Sequence, residues 1–376
     1  MNNVIIFSNH LLAYSETFIR SQGEALKHFK AQYVGSDKVV RGLSLPNERT
    51  HIVQSGVLGA VTDKLFKLGL VLPNLLRRMK KLEPELIHAH FGPNGLTALS
   101  LAEKLGAPLV VTFHGFDVIE SPSIEKHGRL HIRYMGHRAK LANNATQFIA
   151  VSNWVKGRMI KLGFPENKII RHYIGIDTQF FEPDESIQRE KIILCVGRMT
   201  AYKGHKYLIE AMSKVQKLAP DHTLVLIGDG EEKTHLEKLA QTIGIQVEFT
   251  GRQTPEQVKH WMQRASVYVQ PSIRLPNGQE EALALTIVEA QAVGTPAVVF
   301  NTGGMPEAII DGETGTVVSE ENVDELADAI VNLSYDHERW SRYSQNAIEF
   351  VRQTHNLDKQ CAALEGIYQN VLQQNQ

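Results

Sequence analysis

The sequence predicts an α/β protein built from two doubly wound domains. Three observations carry that expectation. A chain of 376 residues exceeds what one ordinary hydrophobic core serves, so two domains of similar size follow. Short apolar, β-rich runs alternate with helical patterns along most of the length, the grammar of parallel strands joined by crossover helices. That series is interrupted once, near residues 175–184, where turn residues separate two such sets. The expected divisions are residues 1–180, residues 181–355 and a C-terminal helix at 356–376.

In the first half, strands at 4–8, 86–89, 109–113 and 147–151 alternate with helices at 18–29, 94–105 and 153–162. In the second, strands at 192–196, 223–227, 247–250, 267–269 and 297–300 alternate with helices at 207–218, 231–243 and 254–264, the run from 281 onward, and 306–310. Residues 340–351 and 360–372 read as closing helices. Most strands run into Gly, Asn, Pro or Ser. Ligands of open parallel sheets bind beyond the carboxyl ends of the strands, so chemistry is sought at these exits.

Hydrophobic content of 43% and charged content of 22% suit a soluble globular protein. Cys195 and Cys361 show neither metal spacing nor a disulfide framework, which suggests a reducing compartment. No uncharged apolar run has membrane-spanning length and no signal peptide is evident, so a cytoplasmic protein is expected. The net charge of −1 hides an asymmetry: residues 1–180 hold 23 Lys+Arg against 13 Asp+Glu, and residues 181–376 hold 17 against 28. The basic half should meet something anionic. Nucleic acid ranks last, because no stacking platform or recognisable module is present. Within residues 61–82, Lys64, Lys67, Arg77, Arg78, Lys80 and Lys81 stand among leucines broken by Pro73. Such a segment can lie on an anionic inner leaflet, or pack as a core helix with solvated lysines.

The exit of strand 192–196 reads Gly197-Arg198-Met199-Thr200-Ala201-Tyr202-Lys203-Gly204. Two cations five positions apart in a glycine-flanked loop suit a phosphate or diphosphate, Arg198 offering a planar fork of donors and Lys203 a point charge. The plainer alternative is two solvated cations. Gly228-Asp229-Gly230, after the next strand, either admits a ligand close to the backbone or simply makes a tight turn. His114, in Phe113-His114-Gly115-Phe116-Asp117, can donate to a sugar hydroxyl or phosphate, with Gly115 leaving room, or can be a surface or capping histidine. His88 and His90 read as structural. The loop from His10 to Thr17 lacks G-x-G-x-x-G, which disfavours an NAD(P) enzyme. There Ser15 caps the next helix, or Glu16 and Thr17 line an acceptor site.

Glu281 and Glu289 frame Ala282-Leu283-Ala284-Leu285-Thr286-Ile287-Val288. On one continuous helix they would lie about 80° and roughly 12 Å apart, too far to share a proton. A better arrangement puts Glu281 in the loop before the helix and Glu289 two turns on. The amides of Ala282, Leu283, Ala284, Leu285 and Thr286 at the helix start then attract a diphosphate. The alternative, two solvated acids, is weaker for Glu289 among its apolar neighbours than for Glu281, which stands beside Glu280. After strand 297–300, Asn301-Thr302-Gly303-Gly304-Met305-Pro306-Glu307 can close the same crevice, and residues 311–315 read as a turn.

Together these residues resemble the retaining glycosyltransferases of family 4, whose GT-B architecture has two facing Rossmann-like domains and a C-terminal helix that crosses back to the first. The resemblance covers nearly the whole chain and is strongest over 192–318. Its carriers are Glu281-x7-Glu289 with the following Ala290 to Val299 and Gly303-Gly304-Met305-Pro306-Glu307, then Gly197-Arg198 with Lys203-Gly204. Ser15-Glu16-Thr17-Phe18-Ile19 is similar to enzymes of bacterial exopolysaccharide and colanic-acid assembly. The resemblance implies that Arg198 and Lys203 clamp the donor diphosphate, that Glu289 accepts from the ribose, and that Glu281 accepts from the transferred sugar. It further implies donor contacts at Gly197, Gly228 and Gly230, base recognition by backbone near Gly251, Arg252 and Gln253, and a sugar contact from His114, with Ser15, Glu16 and Thr17 on the acceptor side. Two departures stand out. The family has glycine, then glycine or proline, where this chain has Ala282 and Ala284, which are expected to give up the positive-φ option. The first-strand loop also lacks the paired glycines many members carry.

The activity so implied is retaining transfer of a hexose from a nucleotide diphosphate sugar, UDP-linked ahead of GDP-linked, to a hydroxyl of a glycan or lipid-linked acceptor. Bacterial surface polysaccharide or lipopolysaccharide synthesis, at the inner face of the membrane, is the setting it suggests. No cofactor and no metal are expected: no Asp-x-Asp motif stands at a strand exit, so Arg198, Lys203 and helix-start amides supply the stabilising charge. Two other classes compete. A GT-B epimerase would need no acceptor, and a non-catalytic nucleotide-sugar-binding subunit would fit the two alanines.

Overall fold

The computed structural model describes residues 2–39, 42–54, 58–119 and 124–375. The chain divides into two compact units, 1–175 together with 357–376, and 176–356. In chain order the first contains β1 (Asn2–Phe7), β2 (His10–Leu11), α1 (Thr17–Glu24), β3 (Phe29–Gly35), β4 (Asp37–Lys38), β5 (Thr50–Ile52), α2 (Gly59–Lys67), α3 (Pro73–Lys80), β6 (Pro84–His90), α4 (Gly92–Leu105), β7 (Leu109–Phe113), α5 (Ile124–Asn144), β8 (Gln147–Ala150), α6 (Asn153–Lys161) and β9 (Ile169–Arg171). Its parallel sheet has the order β5-β3-β1-β6-β7-β8-β9. Val4, Ile5, Ile6 and Phe7 of β1 and all of β7 are buried, as expected for apolar runs covered on both faces.

The second unit contains β10 (Ile192–Val196), α7 (His205–Leu218), β11 (Thr223–Ile227), α8 (Lys233–Ile243), β12 (Val247–Gly251), α9 (Pro255–Arg264), β13 (Val267–Gln270), α10 (Leu285–Ala292), β14 (Ala297–Phe300), β15 (Gly315–Val318), α11 (Val323–Tyr335) and α12 (His337–Thr354). The strand order β12-β11-β10-β13-β14-β15 runs outward in both directions from β10. The winding reverses between β10 and β13, the place where such sheets open a crevice.

The last helix, α13 (Leu357–Gln374), belongs to the first unit. Two of its side chains, Glu365 and Tyr368, help to fasten it there. The buried Glu365 carboxylate accepts from the amides of Lys27, His28 and Phe29 at 2.8, 2.6 and 3.1 Å, and the Tyr368 hydroxyl meets His88 Nδ1 at 2.6 Å.

Several expected elements differ. The helix read at 18–29 stops at Glu24 because the alternating segment from Phe29 is a strand, and the helix read at 306–310 is a single 3-10 turn, Met305–Ala308. The residues read as a turn at 311–315 lead into an edge strand, β15. No helix among the described residues is long and apolar enough to cross a membrane, and both cysteines are free and buried.

Candidate functional site

The loops that leave β10 and β13 carry the cations and the first glutamate, so both lie at the reversal of the second sheet. Backbone contacts at glycines fix them. Gly204, at φ +66, ends the 3-10 turn Ala201–Lys203, and a Cβ there would come within 1.8 Å of the Pro271 carbonyl oxygen. The Ile273 amide donates to the Tyr202 carbonyl at 2.8 Å. The turn that ends in Lys203 therefore rests directly on the chain leaving β13.

The loop before α10 is fastened on its other side to the turn after β14. Gly303 has φ +59, and a Cβ there would sit 2.0 Å from the Glu281 carbonyl oxygen, which also accepts the Gly304 amide at 2.8 Å. Glu280, whose side chain is 8% exposed, accepts from the Gly303 amide at 3.0 Å and the Thr302 hydroxyl at 3.3 Å, and pairs with Arg274 at 3.3 Å. Sequence reasoning took Glu280 only as a sign of polarity; it is a brace that holds Glu281 in place. The available signal was a second acid beside Glu281 with a glycine pair downstream.

Within this frame Lys203 Nζ meets Glu281 Oε2 at 2.5 Å, the two side chains being 12% and 15% exposed. Burial alone would depress the lysine, but the Glu281 carboxylate, with Tyr202 behind it, outweighs that and holds the ammonium charged well above its ordinary range. An ammonium has three donors, so pairing with Glu281 leaves two for a further anion. Arg198 is exposed, makes no ion pair with a carboxylate among the described residues, and lies by Tyr202.

Glu281 does lie in the loop, four residues ahead of α10, while Glu289 is the fifth residue of that helix, a little over one turn in rather than two. The amides of Ala282, Leu283, Ala284, Leu285 and Thr286 find no acceptor among the described residues. They form the donor-rich N-terminus that binds anions. Glu289 has apolar neighbours, and burial pushes its carboxyl up to about 7.

Ala284 corrects one expectation. It does not give up the left-handed conformation: it adopts φ +60, ψ 84 as the N-cap of α10. An L-residue there costs roughly 1–2 kcal/mol, part of which glycine would return through a looser unfolded chain. Ala284→Gly is therefore expected to raise stability by up to about 1 kcal/mol, read as a higher thermal midpoint. A fall in the midpoint would show the strain is absent.

Gly228 and Gly230 each pack closely against neighbouring backbone. A Cβ at Gly228 would meet the Gly197 carbonyl oxygen at 2.0 Å, and one at Gly230 the Met199 carbonyl oxygen at 2.2 Å. The Met199 amide donates to the Asp229 carbonyl at 3.0 Å. The turn after β11 thus buttresses the Gly197–Arg198 loop. At the end of β12, Gly251 has φ +71, Arg252 is 85% exposed near Asp229, and Gln253 Nε2 donates to the Thr250 carbonyl at 3.1 Å.

In the first unit His114 follows β7. Its Nε2 meets His90 Nδ1 at 3.1 Å and its ring packs on Phe18 and Phe91. Burial brings it down to about 3, so the imidazole is neutral and its tautomer follows from the His90 bond. Asp117 is fully buried and accepts from the amides of Gly92 (3.0 Å), His114 (3.1 Å) and Gly115 (2.9 Å). It ties the exits of β6 and β7 together. His88 is structural, held by Tyr368 and by Thr112 Oγ1 at 2.6 Å.

Ser15 is not a helix cap. It lies exposed in the 3-10 turn Tyr14–Glu16, and α1, which starts at Thr17, has no side-chain cap. Glu16 folds back to accept the Ala13 amide at 2.8 Å, and burial raises its carboxyl above the ordinary range.

Two Rossmann-like units, one with a lysine–glutamate pair beside a donor-rich helix start, suit an enzyme that handles a phosphorylated ligand. The family model for glycosyl transferases group 1 matches residues 177–350, and that for glycosyltransferase family 4 matches residues 37–180. A GDP-mannose-dependent alpha-(1-6)-phosphatidylinositol monomannoside mannosyltransferase of Mycolicibacterium smegmatis is 30% identical, covering 71% of this chain and 72% of the relative. The amylovoran biosynthesis glycosyltransferase AmsK of Erwinia amylovora is 26% identical, covering 76% and 72%. Among solved structures, Anabaena HepE in complex with UDP superposes with a TM-score of 0.78 at 18% identity, covering 98% of this chain and all of that one. The chain belongs to the family 4 glycosyltransferases and has their GT-B fold. It is a glycosyltransferase that uses a nucleotide sugar.

Proposed function

We propose that the protein transfers a hexose, with retention of anomeric configuration and without a metal ion, from a UDP-sugar to a hydroxyl of a glycan or lipid-linked acceptor in bacterial surface polysaccharide synthesis. The observation that carries the reading is the Lys203–Glu281 pair beside the unpartnered amides of Ala282 to Thr286. Lys203, Arg198 and those amides take the diphosphate oxygens, Glu281 accepts from a hydroxyl of the transferred sugar, and Glu289 accepts from the ribose. Backbone near Gly251, Arg252 and Gln253 reads the base, His114 serves the sugar, and Ser15, Glu16 and Thr17 serve the acceptor.

In the transfer step the bond between the anomeric carbon and the diphosphate oxygen breaks, its electron pair leaving with the nucleotide. The acceptor oxygen bonds to that carbon on the same face, and its proton passes to the departing phosphate. Fixed positive charge at the leaving oxygen does most to lower such a barrier. Assay of a donor panel, UDP- and GDP-hexoses with chelator present, tests the reading. Release of nucleoside diphosphate with an α-linked product from an α-linked donor is expected. Donor conversion without acceptor into an epimer, or binding with neither transfer nor hydrolysis, would replace it with one of the two competing classes.

The Glu289 carboxyl gives the reading a pH signature. With its folded value raised to about 7, the folded protein keeps a proton that the unfolded chain sheds. That contribution to stability is present at lower pH and is lost as pH rises through about 7. Accepting two ribose hydroxyls needs the ionised form, so the donor KM is expected to fall severalfold between about pH 6 and about pH 8. Glu289→Gln should flatten that profile at a raised KM; an unchanged slope would remove Glu289 from the ribose.

A further inference from the structure

The exit of β13 carries a chain of buried polar groups that the proposed chemistry does not use. Gln270 ends the strand with no exposed surface, and neither Tyr268 before it nor Ser272 after it has any. Gln270 Oε1 accepts from the Tyr268 hydroxyl at 2.9 Å and from the Thr286 hydroxyl at 3.4 Å, while Nε2 donates to Ser272 Oγ at 2.9 Å. The Tyr268 hydroxyl also lies 3.3 Å from the Val196 carbonyl oxygen. One carboxamide thereby joins three segments. Val196 is the last residue of β10, directly before Gly197 and Arg198; Ser272 lies in the chain that runs on to Glu281; Thr286 is the second residue of α10.

A strand covered on both faces has no need of these groups. Val267 and Val269 of the same strand are fully buried and apolar, and an apolar side chain at 270 would serve packing as well as a hydrogen-bonded amide does. What a connected polar network adds is a single arrangement, because a shift of one member leaves the others unpaired at low dielectric. Both lone pairs of Gln270 Oε1 are taken, which fixes the orientation of the carboxamide. The network stands at the reversal of the second sheet, between β10 and β13. We propose that Gln270 is a positioning residue for the diphosphate site. Its carboxamide locks the start of α10 to the end of β10, and so holds the free amides of Leu285 and Thr286 at one spacing from the cations of the β10 loop. The Thr286 hydroxyl is taken by Gln270, which leaves that residue's backbone amide for a ligand. The inference rests on the nucleotide-sugar reading of the site.

The test is calorimetric titration of UDP and of GDP into the wild-type chain, Gln270→Met, Thr286→Val and the double variant, with a thermal midpoint for each. Methionine keeps the length of the side chain and removes the amide; valine keeps the Thr286 backbone amide and removes the hydroxyl. Each single variant is expected to weaken nucleotide binding about fivefold, and the double variant to be no weaker than the worse single one. A glutamine that only stabilised the core would lower the midpoint and leave the affinity, and the coupling, untouched. Wild-type affinity in Gln270→Met, or losses that multiply in the double variant, would overturn the positioning role while leaving the nucleotide site intact. Thr286→Val alters a half-buried hydroxyl, so the test survives a Gln270→Met chain that does not fold: unchanged affinity in Thr286→Val overturns the role as well. No binding of either nucleotide by the wild-type chain would instead remove the reading of the site, and the inference with it.

Discussion

Lys203→Met is expected to lower kcat/KM by about 10²- to 10³-fold, the range found when one charge-stabilising donor is removed from a transition state. The geometry makes the variant informative in two ways. Lys203 is committed to Glu281 at 2.5 Å and both side chains are largely buried, so removing the ammonium alone leaves a carboxylate without its partner. A stability loss of about 3 kcal/mol is expected on that account. Lys203→Met/Glu281→Gln removes both charges and should recover most of the stability while leaving turnover at the level of the single variant. If the double variant regained activity together with stability, Lys203 would be a structural partner of Glu281 and nothing more. Near wild-type turnover in Lys203→Met would contradict the site as a whole.

Gly303→Ala is expected to damage both stability and activity. The new Cβ would fall 2.0 Å from the Glu281 carbonyl oxygen at a φ of +59. Overpacking and left-handed strain together cost about 2–4 kcal/mol. The same methyl pushes the Glu281 segment away from Lys203, and a displacement of about 1 Å at a reacting centre costs about 10²-fold in rate. Gly312→Ala supplies the control, because Gly312 has φ +76 with nothing within 4 Å of its Cβ. It should lose roughly 1 kcal/mol and no activity. Equal loss of activity in the two variants would mean that the Gly303 contact does not position Glu281.

The second unit was the more legible half of the sequence. Its strands β10, β11 and β14 are uninterrupted apolar runs bounded by polar or turn residues, and the structure places them at 192–196, 223–227 and 297–300 as read. Strands β3, β5, β9 and β15 were not legible. Phe29–Gly35 mixes Lys30 and Gln32 into its alternation, and the other three are edge or near-edge strands of three or four residues whose pairing comes from the sheet. At the site, the residue types announced the cations and glutamates, but not what holds them. Glu280 and Asp117 act by accepting backbone amides from segments remote in sequence or across a loop, and no spacing rule encodes such a bond. Ala284 shows the opposite limit: its residue type argues against positive φ, and the contacts on either side of the loop impose it.

The central claim is that the loop after β10 and the start of α10 bind a nucleoside diphosphate with protein charge alone. Calorimetric titration of UDP and of GDP into the wild-type chain in chelator tests it most directly. The expected result is saturable binding of a nucleoside diphosphate, weakened by about tenfold or more in Lys203→Met. Binding that appears only when a divalent ion is restored, or that Lys203→Met leaves unchanged, would contradict it.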